Sequence, residues 1–200
     1  MTAPFVVVPI VEGQGDVGAV PLLLRRIAAE IDVRRSIDVR RPIRVQRDKV
    51  VKARELERSV ELAVRSADPG GAVLLLIDAD DDCPAELGPQ LLERASGVRA
   101  NLPVSVVLAN REFEAWFLAA ASSLRDRRGL RSDLNPPRDP EAIQDAKGWL
   151  QDRRTDGFAY SPTTDQPALA AVMDLHLARA NAPSFDKLWR DLERLMGAHS

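Results

Sequence analysis

Residues 72–82 read AVLLLIDADDD, an apolar run that changes without a break into an acidic one. A short, continuous apolar run of this kind is typical of a strand that is buried on both faces of a sheet. Asp78, Asp80 and Asp82 therefore stand at the point where a buried strand ends. In a parallel sheet, ligands bind at the edge that the carboxyl ends of the strands form. This stretch therefore predicts a parallel sheet with a candidate functional site at its carboxyl edge.

Three further segments predict strands, and helical patterns alternate with them. The other strands are expected at Phe5–Val11, Ile37–Val45 and Val104–Ala109, the second at a sheet edge because it contains Pro42. The helices are expected at about residues 16–31 (capped by Asp16), 50–64 (ended by Pro69-Gly70-Gly71), 84–95 and 111–124. Strands and helices that alternate through short connections predict an α/β fold with a doubly wound parallel sheet of about four strands.

The alternation stops after Leu124. Residues 125–140 are charged and rich in proline, which is typical of a surface loop. Two or three helices are expected beyond it, and Ser184–Met196, behind a Ser184 cap, has the clearest apolar face. We therefore expect an α/β core over residues 1–124 and a loop with a helical C-terminal extension over residues 125–200. The extension is expected to pack on the core as part of a single folding unit.

The composition excludes several classes of protein. Lys plus Arg total 28 and Asp plus Glu total 30, so the chain is neither histone-like nor a polybasic membrane binder. One cysteine and two histidines exclude a four-ligand zinc site and an intramolecular disulfide. No apolar run approaches the ~18 residues of a membrane span, and no basic residue precedes the first apolar run, as a signal peptide requires. We expect a cytoplasmic protein with no membrane partner.

Residues 13–18 read GQGDVG and match the G-x-G-x-x-G pattern of dinucleotide-binding turns, between a predicted strand and a predicted helix. That site also needs an acidic residue at the end of the second strand, where this sequence has Val45-Gln46-Arg47. Glu12, directly before the first glycine, would also repel a pyrophosphate. A dinucleotide-binding oxidoreductase stays open as an alternative, and so do glycines that only permit a tight turn.

Glu12 is better explained together with the acidic stretch at residues 78–82. If the first and third predicted strands are neighbours, Glu12 lies beside Asp78, Asp80 and Asp82. An extended D-x-D-x-D stretch directs its three carboxylates to one side. Carboxylates packed so closely repel one another unless a cation offsets their charge, and oxygen ligands suit Mg²⁺ or Mn²⁺. The residues alone leave open that the stretch is a solvated cap of the next helix.

The pattern of Glu12-Gly13 after an apolar first strand, and of an apolar strand that ends in D-x-D, resembles the TOPRIM domain. Topoisomerases, bacterial primases, OLD-type nucleases and an RNA-maturing ribonuclease share that domain. The REFEAWFL stretch at residues 111–118, Lys147 and the APSFDKL stretch at residues 182–188 resemble one bacterial TOPRIM-like domain-of-unknown-function family. That family is related to OLD-type nucleases, and its members are often encoded beside an ATPase in defence-like clusters.

The resemblance implies a Rossmannoid, TOPRIM-like fold and a Mg²⁺-dependent (or Mn²⁺-dependent) nuclease that cleaves phosphodiesters. Asp78 and Asp80 would hold the metal, and Asp82 would be an additional ligand. Glu12 would bind a second metal or act as a general acid or base. Two such ions can activate a water and stabilise the leaving oxygen of a phosphodiester. The implied partners are nucleic acid and an ATPase, in a phage-defence setting.

Two residues further along the chain complete the candidate site. Glu114 begins the predicted helix after the fourth strand and could add a metal ligand, whereas Lys147 could contact the scissile phosphate. The neighbouring Glu112 is expected to face away from Glu114, because residues two apart do not share a helix face.

A basic segment adds a candidate surface for nucleic acid. Residues 25–65 carry 13 Lys or Arg against seven Asp or Glu, so they could either follow a phosphate backbone or form solvated helix faces and an edge strand. Three Trp and five Phe leave few side chains for base stacking, so any nucleic-acid binding should depend little on the base sequence. The alternative from another class is a non-catalytic scaffold that binds a metal or a partner, and the dinucleotide-binding oxidoreductase is the third.

Overall fold

The computed structural model describes residues 4–52, 54–67 and 70–197, and it has a parallel β-sheet at its centre. The strands are β1 (Phe5–Val11), β2 (Ile37–Val39), β3 (Ile43–Arg44), β4 (Ala72–Asp78) and β5 (Val104–Ala109). Their order is β2-β1-β4-β5, and β3 also pairs with β1. Every pairing is parallel. The predicted α/β fold is therefore confirmed. Pro69 lies outside the described residues.

Helices cover both faces of the sheet. In the described ranges they are α1 (Gln14–Ile31), α2 (Arg47–Val51), α3 (Glu55–Ser66), α4 (Pro84–Ser96), α5 (Ala115–Ala119), α6 (Ala146–Gln151), α7 (Pro162–Val172), α8 (Leu175–Asn181) and α9 (Pro183–Leu195). Side chains alternate along a strand, so β1 sends Val7 and Val11 into the core under α1, and Val8 and Ile10 into the core under α3. This two-sided burial explains why β1 and β4 are continuous apolar runs.

The prediction of a single second strand over Ile37–Val45 is wrong. The chain leaves the sheet between β2 and β3, at residues 40–42, where Pro42 has no N–H to donate to a ladder. Both short strands return to β1, with Val39 opposite Val7 and Arg44 opposite Val11. The expected position at a sheet edge is confirmed.

The predicted helix over residues 50–64 is interrupted. Helix α2 ends at Val51, and α3 begins after Arg54, which has a left-handed φ of 77°. Arg94 of α4 donates to the carbonyl oxygens of Val51 (2.9 Å) and Lys52 (2.8 Å). A side chain that is distant in sequence therefore satisfies the carbonyls that a continuous helix would have used.

Two further helix starts differ from expectation. Helix α1 begins at Gln14, before the expected cap Asp16, whose Oδ2 accepts from the Gly13 N–H at 2.7 Å. Helix α9 begins at Pro183, so Ser184 lies inside its first turn rather than at its cap. The helix expected over residues 111–124 is shortened to α5 and a 3-10 turn at Ala121–Leu124, which leaves residues 111–114 outside any helix.

The C-terminal helices pack on the sheet and on α1. Helix α7 lies along α1, and α9 contacts β5. Leu169 and Phe185 from these helices share one buried cluster with Val7 and Leu24. The boundary placed after residue 124 stays a prediction. Within the described ranges, each helix is too short or too polar to cross a membrane.

Candidate active site at the carboxyl edge of the sheet

The parallel sheet places several acidic residues at one edge. Val11 pairs with Leu76, so Glu12 follows β1 beside the end of β4, whose last residue is Asp78. Asp78 in turn pairs with Ala109 at the end of β5. The first and third predicted strands are thus neighbours, which is the condition that a shared acidic site requires. The loop after β5 then reaches back, because the Phe113 N–H donates to Asp78 Oδ1 at 2.7 Å.

Lys147 lies among three of these carboxylates. Its Nζ is 3.2 Å from Glu112 Oε2, 3.3 Å from Glu114 Oε2 and 4.0 Å from Asp78 Oδ2. We call these four residues the lysine cluster. Burial alone would lower the pKa of Lys147, but the charges of Glu114, Asp78 and Glu112 raise it above its ordinary value. The ammonium therefore stays charged and compensates part of the negative charge.

The expectation that Glu112 faces away from Glu114 is wrong, because the helix begins only at Ala115. Arg111, with a positive φ of 60°, turns the chain at the start of this loop. The spacing rule for helix faces does not apply there, and both carboxylates reach Lys147.

Glu114 is the most deeply buried of the predicted site residues, with 0% of its side chain exposed. Its Oε1 accepts hydrogen bonds from the Tyr160 hydroxyl (3.1 Å) and from Gln166 Nε2 (2.9 Å). Burial raises the pKa of Glu114, and Lys147 opposes that rise. Burial and the adjacent Glu114 also raise the pKa of Tyr160, so the phenol stays a proton donor. The sequence analysis did not identify Tyr160 or Gln166 as members of this site.

Glu12 has a buried oxygen, Oε2, with no hydrogen-bond partner among the described residues. Burial raises the pKa of Glu12, and the charges of Asp80 and Asp16 add to the rise. Arg47 and Lys147 act in the opposite direction. Glu12 therefore lies between the lysine cluster and the acidic loop after β4, with an oxygen available for a proton or a cation.

Asp16 and Asp78 are the other carboxylates at this edge, and the Asp78 side chain is 22% exposed. Asp16 is 7% exposed, and burial raises its pKa against the opposing effects of the Gly13 N–H and Lys147. Burial raises the pKa of Asp78 well above its usual range, against the opposing charge of Lys147. The sequence identified Asp16 only as a helix cap, but the fold makes it part of the candidate site.

Arg47 holds the acidic loop that follows β4. Its guanidinium donates to the carbonyl oxygens of Asp78 (3.1 Å) and Ala79 (2.9 Å). The same group lies 3.2 Å from Asp80 Oδ2 and also pairs with Asp82. Asp80 and Asp82 are therefore held by Arg47, whereas the Asp78 side chain belongs to the lysine cluster.

The expected extended D-x-D-x-D conformation is wrong. Asp80 has a positive φ of 51°, and the Asp82 N–H donates back to the carbonyl of Ala79 at 3.0 Å, so the chain turns. Asp81 points into solvent and pairs with Arg111 at 3.5 Å. This turn separates the carboxylates of the loop from Asp78.

The oxygen ligands at this edge suit a hard divalent cation, but they are not arranged as a ready metal site. Across residues 4–52, 54–67 and 70–197, no three Asp, Glu, His or Cys side chains group as metal ligands would. Glu12 Oε2 is nevertheless buried without a hydrogen-bond partner in that part of the chain, whereas Glu114 Oε2 is buried with the Lys147 ammonium 3.3 Å away. Carboxylate oxygens are what Mg²⁺ and Mn²⁺ prefer. A metal would fit these residues if Lys147 or Arg47 released a carboxylate.

The glycine turn is covered by protein. A Cβ on Gly15 would lie 1.8 Å from Gln166 Oε1 and 2.5 Å from the Pro162 carbonyl oxygen, and one on Gly18 would lie 2.8 Å from Pro167. The Gly13 N–H, which a phosphate would need, is already bonded to Asp16. Gly15 and Gly18 thus allow α7 to approach α1. The resulting contacts weigh against a pyrophosphate bound at this turn.

Comparison with known proteins identifies the family of this chain. No curated protein and no solved structure matches the chain significantly. A family model described as "Domain of unknown function (DUF4276)" matches residues 11–193, a range that includes every residue of the site described above. The chain therefore belongs to the DUF4276 family.

Proposed function

We propose that this protein is a metal-dependent nuclease that cleaves phosphodiesters at the carboxyl edge of its sheet. The observation that carries the proposal is the excess of carboxyl groups over cations at that edge. Glu12, Asp16, Asp78 and Glu114 all have pKa values raised by burial, and Lys147 supplies one positive charge among them. Holding carboxylates together in this way costs stability unless a cation binds there.

Each residue has a distinct part in this proposal. Asp78 and Glu114 would hold the cation, and Asp80 and Asp82 would add ligands if Arg47 released them. Glu12, with its unpartnered Oε2, binds a second cation or takes a proton from the attacking water. Lys147 orients the carboxylates and contacts the scissile phosphate. Bound Mg²⁺ or Mn²⁺ would polarise the phosphate and lower the pKa of a water.

The relation to TOPRIM proteins and to a partner belongs to the same proposal. Glu12-Gly13 directly follows β1, and Asp78-Ala79-Asp80 begins at the last residue of the neighbouring parallel strand β4, which supports a TOPRIM-like arrangement of the site. We extend the proposal to a nucleic-acid substrate, a cytoplasmic setting and an ATPase partner in a defence-like system.

Metal binding and cleavage test the proposal directly. We expect calorimetry to detect Mn²⁺ binding, and cleavage of single-stranded DNA, duplex DNA or RNA with Mg²⁺ or Mn²⁺ but not with EDTA. Glu12→Gln and Asp78→Asn should each lower the cleavage rate at least about 100-fold, the lower range for loss of a general acid or base. The matched control is Asp81→Asn, because Asp81 is adjacent but fully exposed. Absence of metal-dependent cleavage, with and without an ATPase encoded beside the gene, would refute the proposal.

The second candidate is a non-catalytic scaffold, and the position of Lys147 favours it. A lysine within 4.0 Å of three carboxylates can stabilise the edge without any metal. In a metal site, Mn²⁺ at about 100 times its Kd should add about 2.7 kcal/mol of stability, or about 5–10 °C in Tm. In a scaffold that needs no metal, Tm should be the same in Mn²⁺ and in EDTA.

A further inference from the structure

A basic groove lies directly beside Glu12, on the β3 side of the sheet edge. Arg44 is paired with Val11, and the Val45 N–H donates to the Val11 carbonyl at 2.8 Å, so β3 ends next to Glu12. Gln14, Arg44, Gln46 and Lys49 line a groove of about 610 Å³. The groove therefore opens on the same edge as the candidate active site.

The two cations of this groove have no acidic partner. Arg44 Nη1 donates to the neutral amide oxygen Gln14 Oε1 at 3.1 Å, and neither Arg44 nor Lys49 forms an ion pair within the described part of the chain. Several other cations nearby are neutralised by carboxylates: Arg47 by Asp80, Lys52 by Asp48, Arg58 by Glu55, and Arg94 by Glu57.

The groove has the chemistry of a phosphate-backbone site rather than of a base-binding site. Its lining residues include amides, a hydroxyl and two free cations, but no aromatic ring on which a base could stack. Its one carboxylate, Glu55, is already paired with Arg58 at 2.8 Å. Arg and Lys neutralise phosphates without reading sequence.

We infer that this groove binds a phosphate of a nucleic-acid strand next to the one that is cleaved, with Arg44 and Lys49 as the binding residues. This inference rests on the proposed nuclease function, and it specifies where the substrate lies. The strand enters between α1 and α2, over Gln14, and brings the adjoining phosphodiester to Glu12. Binding is sequence-tolerant, because only the backbone is contacted.

Salt-dependent binding in EDTA tests the groove without requiring cleavage. The probe is a fluorescein-labelled 12-nucleotide oligo-dT or oligo-U, followed by anisotropy between 50 and 200 mM salt. Each phosphate contact to a single strand adds about 0.7 to the slope of log K against log salt. The Arg44→Gln/Lys49→Gln double variant should therefore lower the slope by about 1.4. The wild-type affinity should fall about 7-fold more than that of the variant across this range.

The matched control removes the same charge away from the groove. Arg99 and Arg127 are exposed and lie outside residues 25–65, so Arg99→Gln/Arg127→Gln should leave the slope unchanged. Equal slopes for the wild type and the groove variant, an equal loss in the control, or no binding by the wild type would overturn the inference. A slope difference without any metal-dependent cleavage would support phosphate binding in the groove and would refute the proposed function instead.

Discussion

Two cations divide the acidic residues of the sheet edge between them. Lys147 compensates Asp78, Glu112 and Glu114, whereas Arg47 holds Asp80 and the loop that contains it. Each is a single positive charge among several carboxylates, and burial raises the pKa of Asp78 in spite of Lys147. At the scale of single residues, the edge is therefore a place where charge is costly and where protonation or a cation relieves that cost.

The pH dependence of stability should show this cost at Asp78. Its pKa is raised in the folded state, so the folded protein binds more protons than the unfolded chain above pH 3.8, and stability falls as pH rises through that window. Asp78→Asn removes this loss, while its amide oxygen can still accept from the Phe113 N–H. In EDTA, the Tm of the variant minus that of the wild type should increase with pH from 4 to 7. The increase should be at most about 3–5 °C per pH unit.

The exposed Asp81 provides the control for that measurement. Its side chain is fully exposed, so Asp81→Asn should change Tm less than Asp78→Asn does at pH 7. A constant or shrinking difference for Asp78→Asn would mean that this carboxylate is not destabilising in the folded protein.

At the scale of elements, α7 connects the glycine turn to the site. Gln166 of α7 bonds to Glu114 and also covers Gly15 of α1. The glycines of the GQGDVG stretch therefore let two helices approach closely, and this approach fixes the donor that orients Glu114. The packing of two helices and the geometry of the site are thus linked through one side chain.

The pair Gly15→Ala and Gly88→Ala tests that link. A Cβ on Gly15 would overlap Gln166 Oε1 and the backbone oxygen of Pro162, so we expect a loss of about 1–3 kcal/mol in the free energy of unfolding. A Cβ on Gly88, inside α4, would meet only Leu108 Cδ1 at 3.9 Å, so this variant should gain about 0.5–1 kcal/mol. Urea denaturation measures both. Equal stability of the two variants would mean that α7 does not pack tightly on the turn.

At the scale of the whole molecule, the C-terminal helices complete the core on one face of the sheet. Trp116 of α5 is 0% exposed, and its ring lies 5.2 Å from that of Phe185 in α9. Trp189 of α9 is 4% exposed in the same cluster. Removing these helices would expose the apolar surface of the sheet, so the extension and the core should depend on each other for stability.

We therefore expect the chain to unfold in one transition. The urea midpoints from far-UV circular dichroism and from tryptophan fluorescence should coincide, since Trp116 and Trp189 report on the two parts of one core. Separate midpoints would indicate that residues 1–124 and the C-terminal helices fold independently.

Local sequence patterns were sufficient to predict most of the strands of the sheet. The apolar runs at Phe5–Val11 and Val104–Ala109 are strands within the predicted bounds, and α4 lies within one residue of its predicted range. One error arose where a distant group decided the local structure. Arg94 stabilises the break between α2 and α3, and no pattern within residues 50–64 encodes that contact.

The sequence by itself determined the acidic positions of the edge: Glu12, Asp78 and Glu114 each follow or end a predicted strand, because parallel strands finish together. Only the tertiary structure decided which groups compensate them. Lys147, Tyr160 and Gln166 reach Glu114 from sequence positions 33–52 residues away, and Arg47 crosses 31 residues to the carbonyl of Asp78. Strand ends follow from local hydrophobic periodicity. Contacts between charged side chains depend on how helices pack across the sheet, which no local pattern specifies.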